Sequence, residues 1–206
     1  MATSVALTRR VLTRQRTRAE ILDAAWEQCR RGGLASLNLR ALGAAVGMKA
    51  PSLYTHFSSK MEIYDAMFAQ GYTAALEALP PYAGERTKPA VEQGIRDSVT
   101  RFIAFCLADP VRYQLLFQRT IPGFVPSEAS MRLAYANLDR GRQLLVLLGL
   151  HAPEALDLAT SVITGLVDQQ ISNDPGGERW VRLIDDMLDM YLTFAIRRWR
   201  APAWRS

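Results

Sequence analysis

LNLRALGAAVGMKAPSLYTHF, residues 37–57, holds two short apolar periodicities on either side of a glycine. Leu39, Leu42 and Val46 recur at helical spacing, so one face of a first helix is apolar. Asn38 stands immediately before them, where a short polar side chain caps the first backbone N–H groups. Gly47 follows the last periodic residue, the position at which a helix end favours a residue tolerant of positive φ. A second helix is predicted from Lys49-Ala50, with Pro51 in its first turn, where a missing N–H costs nothing. Leu53 and Phe57 are four apart and point inward together. Pro51, Ser52 and Thr55 then point outward, flanked by Tyr54 and His56. A small, hydroxyl-bearing outer face suits entry into a major groove, where bulky side chains collide. The spacing predicts a helix-turn-helix.

Charge supports that reading. The chain has 206 residues and a net charge of +5, yet residues 1–60 carry ten Lys and Arg against three Asp and Glu. The remaining residues carry fifteen against seventeen, so the whole positive excess lies with the motif. Such a surface binds a polyanion by releasing condensed counterions. The opening segment MATSVALTRRVLTRQRTR has the composition of a transit peptide but lacks the apolar core of a secretory signal. It reads as a basic, disordered arm over residues 1–16, able to lie along phosphates, enter a minor groove, or stay disordered on DNA. Cys29 and Cys106 lie in helical patterns as buried structural thiols. With two histidines and no Cys/His cluster, no metal and no cofactor is expected. The longest apolar run, residues 144–150, is too short for a membrane span. Arginine outnumbers lysine by 22 to 3, as a GC-rich genome produces, and the protein reads as bacterial and cytoplasmic.

The rest of the chain is helical throughout, without an alternating strand signal. A first helix is expected over residues 17–31, with Ile21, Leu22, Ala25 and Cys29 as its core stripe, ended by Gly32-Gly33. After the motif come residues 60–79, then a break at Pro80-Pro81, then 89–108, 110–117 and 127–148. Residues 154–172 are apolar on nearly all sides and are expected to be buried all round. The last helix, 178–198, presents Trp180, Leu183, Met187, Leu188, Tyr191 and Phe194. Two such helices would leave a large apolar patch on a monomer, which pairing about a twofold axis buries as a four-helix interface. Leu158, Val162, Gly165, Leu183, Met187 and Tyr191 are its candidate residues.

Residues 17 to about 66 resemble the DNA-binding domain of the tetracycline-repressor-like (TetR) regulators. The resemblance rests on Ile21-Leu22-Asp23-Ala24-Ala25, the Gly32-Gly33 bend, the helix-turn-helix, and Leu53-Tyr54-Thr55-His56-Phe57-Ser58-Ser59-Lys60. Gly43 departs from the usual alanine, at a cost of roughly 1 kcal/mol in helix propensity. Ala50 replaces a frequently polar recognition residue, and Met61 a frequently acidic one. The resemblance implies an all-α fold: a three-helix DNA-binding domain over residues 17–66, a larger helical ligand-binding and dimerisation domain over 67–200, and a tail over 201–206. It also implies pairing through the last two helices.

A dimer would present two recognition helices to half-sites of one DNA operator. Tyr54, His56 and Lys60 are the expected phosphate clamps, which fix register without reading sequence. Arg40, Lys49, Ala50, Pro51, Ser52 and Thr55 are the expected groove-facing residues. A small-molecule effector, apolar with one or two polar groups, would release a repressor by preferring the conformation with badly spaced helices. Candidate ligand contacts are Phe102, Phe105, Tyr113, Phe117, Phe124, Met131, Tyr135 and Asp168. A ligand-independent regulator or an activator of the same fold is the alternative. A helical enzyme or interaction module is a further one, disfavoured because no nucleophile–base pairing, metal cluster or phosphate-binding glycine loop is present. Asp185, Asp186 and Asp189 read as a solvated acidic face.

Overall fold

The computed structural model describes residues 2–200, the side chains of residues 2–10 and 50 excepted. Its helices are α1 (Ala2–Gly32), α2 (Leu39–Ala45), α3 (Ala50–Tyr54), α4 (Lys60–Ala78), α5 (Lys88–Ala108), α6 (Pro110–Phe117), α7 (Glu128–Leu147), α8 (Pro153–Asn173) and α9 (Ile184–Trp199). No strand occurs among the described residues, and one isolated antiparallel bridge joins Leu150 to Arg200. The all-α expectation holds. The chain forms two units. The first comprises the described residues up to Gly71 with Gln114–Met131, and the second Tyr72–Tyr113 with the described residues from Arg132 onward.

In the first unit, Ile21, Ala25, Cys29, Leu42, Leu53, Phe57, Ile63, Tyr64 and Met67 are almost wholly buried. Helix α1 corrects the expectation of a disordered arm, because it starts at Ala2 rather than near Thr17. No glycine or proline interrupts residues 2–31, so nothing in the backbone stops the helix propagating. Thr17 Oγ1 donates to Thr13 O at 3.1 Å, and Arg16 pairs with Glu20 at 3.1 Å, one turn along. The loop after α6 packs on α4: the Phe124 ring lies 5.8 Å from Tyr64 and 6.1 Å from Phe68. Ser127 N donates to Asp65 Oδ1 at 2.7 Å. Its hydroxyl accepts from Ser130 N at 3.2 Å, capping α7.

The second unit buries Val91, Ile95, Ile103 and Cys106 of α5 and Ala155, Leu166 and Val167 of α8. From α9 it buries Leu188, Tyr191, Leu192 and Ala195. Burial of α8 on all sides is not found within the protomer. Thr160, Ser161 and Gly165 are exposed, and Leu158 and Val162 half-buried. The last helix begins at Ile184, not near Glu178, and a 3-10 turn, Val181–Leu183, precedes it. The cause is Gln170, only 1% exposed. Its Oε1 accepts from Trp180 N at 2.8 Å and Val181 N at 3.2 Å, while Nε2 donates to Gly177 O at 3.1 Å. Those N–H groups are therefore fixed by a side chain one helix away. Arg96 pairs with Asp185 at 3.2 Å and with Asp189, tying α5 to α9 across otherwise exposed carboxylates. Both cysteines are free and buried, and burial pushes the thiol pKa of Cys29 up to about 11 and of Cys106 to about 12. Neither is a reactive thiolate near neutral pH. No described helix is long and apolar enough to cross a membrane.

Candidate nucleic-acid interface

The helix-turn-helix is built as its local sequence dictates. Asn38 Oδ1 accepts from Arg40 N at 2.9 Å and Ala41 N at 3.1 Å, capping α2. At the other end Gly47 has φ 67°. Met48 N donates to Gly43 O at 2.8 Å and Gly47 N to Ala44 O at 3.2 Å, the paired bonds of a Schellman ending. This geometry sets the angle at which the chain enters α3. Gly47→Ala is expected to cost about 1–2 kcal/mol, the penalty for a Cβ in the left-handed region. A urea titration of the two proteins checks it, and an unchanged midpoint would contradict the argument.

Helix α3 starts with Lys49 as N-cap and Pro51 in its first turn. Leu53 and Phe57 are fully buried, which turns the opposite face outward. Pro51, Ser52, Tyr54 and Thr55 are exposed, as are Arg40 and Lys49 on either side of the turn. The side chain of Ala50 lies outside the described residues. His56 is half-buried, and its Nδ1 is buried with no hydrogen-bond partner among the described residues. An N–H buried without an acceptor costs roughly 1–3 kcal/mol, which favours the tautomer with its proton on Nε2. Lys60 is half-buried, its Nζ 3.3 Å from Ala35 O and 5.5 Å from the Tyr64 ring centre.

Three side chains that the sequence reading did not single out surround the end of α3. Arg14 Nη2 donates to Thr55 O at 3.2 Å. Arg18 donates to His56 O, lies 3.9 Å over the Phe57 ring and pairs with Glu62 at 3.3 Å. Glu62 Oε2 accepts from Ser58 N at 2.6 Å and Ser58 Oγ at 2.9 Å. Ser59 Oγ in turn accepts from Glu62 N at 3.1 Å. Burial raises the Glu62 pKa, but the Ser58 donors and Arg18 outweigh it and hold the carboxyl below its ordinary value. Ser59-x-x-Glu62 is a capping-box spacing and was legible as a start signal for α4. The arginines were not, because their partners lie about forty residues away.

Of the candidate ligand contacts, the structure joins Tyr113 and Asp168, with the phenol donating to Oδ1 at 2.9 Å. Phe105 lies 3.8 Å under the Arg112 guanidinium. Phe102 is half-buried, and Tyr135 is 58% exposed on α7. Phe117, Phe124 and Met131 belong to the first unit, where Phe124 packs on Tyr64 and Phe68. A cleft of about 180 Å³ in the second unit is lined by residues that include Tyr82, Asp97, Ser98, Arg101, Arg140 and Leu144, and by none of those eight. Of the candidate pairing residues, Leu158, Val162 and Met187 are half-buried and Gly165 and Leu183 exposed. Tyr191 is corrected: it is 3% exposed, and its hydroxyl donates to Ala155 O at 2.7 Å inside its own unit. A side chain already enclosed by its own protomer has no surface left to offer a second copy. Met190 and Phe194, 63% and 49% exposed, stand on the outer face instead.

Residues 21–67 match the model of the family described as bacterial regulatory proteins, tetR family. No curated protein matches the sequence. Among solved structures, one similar in fold is a protein of unknown function from Rhodococcus sp. RHA1. It is 18% identical, with TM-score 0.68 over 86% of this chain and 94% of that one. A variant of TetR from Acinetobacter baumannii AYE in complex with minocycline is 19% identical, with TM-score 0.61 over 88% and 97% of the two chains. The TetR family transcriptional regulator PfmR from Thermus thermophilus is 18% identical, with TM-score 0.57 over 84% and 97%. The capped α2, the Gly47 turn and the outward face of α3 all fall within the matched residues. Over residues 21–67, which hold the helix-turn-helix, the chain is similar to the tetR family of bacterial regulatory proteins, and along its length it shares the fold of these solved structures.

Proposed function

We propose that the protein is a homodimeric, sequence-specific transcriptional repressor that leaves its operator when a small, largely apolar ligand binds. The observation that carries the reading is the outer face of α3: small and hydroxyl-bearing, and flanked by the exposed cations Arg40 and Lys49. Tyr54, His56 and Lys60 take phosphates, and the α3 face with Arg40, Lys49 and Ala50 meets base edges, Arg40 being suited to guanine. Residues 67–200 serve ligand binding and pairing. Pairing is supported by the stripe Met187, Met190 and Phe194, spaced three and four apart on α9, with Leu183 in the turn before it and Leu158, Val162 and Gly165 on α8. Tyr113, hydrogen-bonded to Asp168, is the candidate polar group for such a ligand. A neighbour of the same fold holds minocycline. The linkage is reciprocal: a ligand that lowers DNA affinity binds more weakly to the DNA complex by the same factor.

The test is binding to random-sequence duplex and to a site selected from a random pool, across a range of salt. Affinity is expected to fall linearly in log–log form with salt, with a slope set by the phosphates contacted. Tyr54→Ala should weaken binding to every sequence about tenfold, whereas Ser52→Ala and Arg40→Ala should change which bases are selected. No retention on DNA at low salt would end the reading. Identical effects from all three substitutions would refute the division of roles.

A further inference from the structure

Helix α3 is five residues long, about one and a half turns, and a helix that short does not hold itself together in water. The last carbonyls of a helix lack partners within it; here the following residues close Ser52 O, through Thr55 N at 3.2 Å, and Leu53 O, through His56 N at 2.9 Å and Phe57 N at 3.0 Å. The carbonyls of the next two residues past α3, Thr55 O and His56 O, are taken by the Arg14 and Arg18 guanidiniums of α1. Positive charge is favourable at that end of a helix. Arg18 does more than close one carbonyl. Its face covers the buried Phe57 ring, and its fork reaches Glu62, which holds Ser58 at the start of α4. One side chain thus joins α1, the end of α3 and the beginning of α4.

We infer that Arg14 and Arg18 are positioning residues for DNA recognition: they lock the C-terminal end of the recognition helix, and their charge is spent inside the protein rather than on phosphate. Arg18 is the principal lock and Arg14, more exposed, an outer one. This rests on the DNA-binding reading of α3. A lock on the recognition helix controls how well α3 fits base edges and leaves the phosphate contacts of the basic surface largely in place. A lysine cannot replace the fork, since one ammonium does not lie flat on Phe57 while bonding both His56 O and Glu62.

The experiment compares the full-length protein with its Arg18→Gln, Arg18→Lys and Arg40→Ala variants. Each is titrated with the selected operator and with random duplex at several salt concentrations, at a temperature where circular dichroism shows every variant folded. For both Arg18 variants, operator affinity should fall about tenfold, random-duplex affinity should stay within about twofold, and the salt slope should be unchanged, as a lost positioning group predicts. Arg40→Ala is the comparison for a lost base contact, which changes the bases selected. If Arg18→Gln does not fold, Arg18→Lys and Glu62→Gln carry the test, because both break the Arg18–Glu62 pair while keeping side-chain volume. Full activity in Arg18→Lys, with a slope reduced by about one in Arg18→Gln, would make Arg18 a phosphate contact and overturn the inference. Unchanged operator affinity in folded variants would overturn it as well. Failure of the unaltered protein to bind any duplex would instead remove the DNA-binding reading beneath it.

Discussion

Replacing Met190 and Phe194 together by glutamate is expected to convert the proposed dimer to a monomer and to lower operator affinity by a factor on the order of 10²–10⁴. Met190 is 63% exposed in the protomer and Phe194 about half exposed, at 49%, so little of its own core is lost. Glutamate is a good helix former, and the principal internal contact forfeited is the Phe194 ring against Trp199 at 5.5 Å. Across a twofold interface, however, each new carboxylate meets the same apolar stripe on the partner, and burying an unpaired charge there is prohibitive. The loss in DNA binding then follows from geometry. Two half-sites engaged by one dimer bind as a linked pair, and a monomer forfeits the second, intramolecular event. Sedimentation of the variant and of the unaltered protein, with operator titrations of each, checks the result. A variant that stays dimeric and binds normally would show that pairing uses another surface.

The second large effect sets two neighbouring aromatics against each other. Phe57→Ala is expected to destabilise the first unit by about 3–5 kcal/mol, the usual cost of emptying a fully buried phenylalanine site. That is a large share of the roughly 5–15 kcal/mol typical of a whole domain. Phe57 is fully buried, and its ring carries Arg18, so the lock on α3 is released along with the core contact. Tyr54→Ala, three residues earlier, should change stability by less than about 0.5 kcal/mol, because Tyr54 is 52% exposed. Both variants lose DNA affinity, but only Phe57→Ala loses it through unfolding. Urea denaturation followed beside DNA titration separates them. Equal destabilisation by the two would mean that the inward and outward faces of α3 are assigned wrongly.

Much of this was legible in residues 37–57. The Asn38 cap, the Gly47 turn, Pro51 in the first turn and the inward pair Leu53 and Phe57 depend on neighbours within a turn or two, so residue type and spacing suffice. The limits of α4 to α8 were legible for the same reason, since proline, glycine and hydrophobic period mark them locally. The arm was misread because its composition suggested disorder, while the absence of any helix breaker let α1 run on. Tyr191 was misplaced because periodicity shows that a residue is apolar-facing without showing which apolar neighbour it faces. Here Leu188, Tyr191 and Leu192 turn inward, and Met190 and Phe194 outward.

The sequence by itself therefore determined the helix-turn-helix, the all-helical course of the chain and the segregation of positive charge onto its first sixty residues. Each of these is a property of short windows or of composition. Only the tertiary structure decided where the arginines of α1 act, where α9 begins and which face of it is left bare. Arg18 reaches His56 and Glu62, and Gln170 reaches Trp180 and Val181, across intervals that carry no periodic signal. Hydrogen bonds between helices depend on how those helices pack, and packing is settled by the whole core at once.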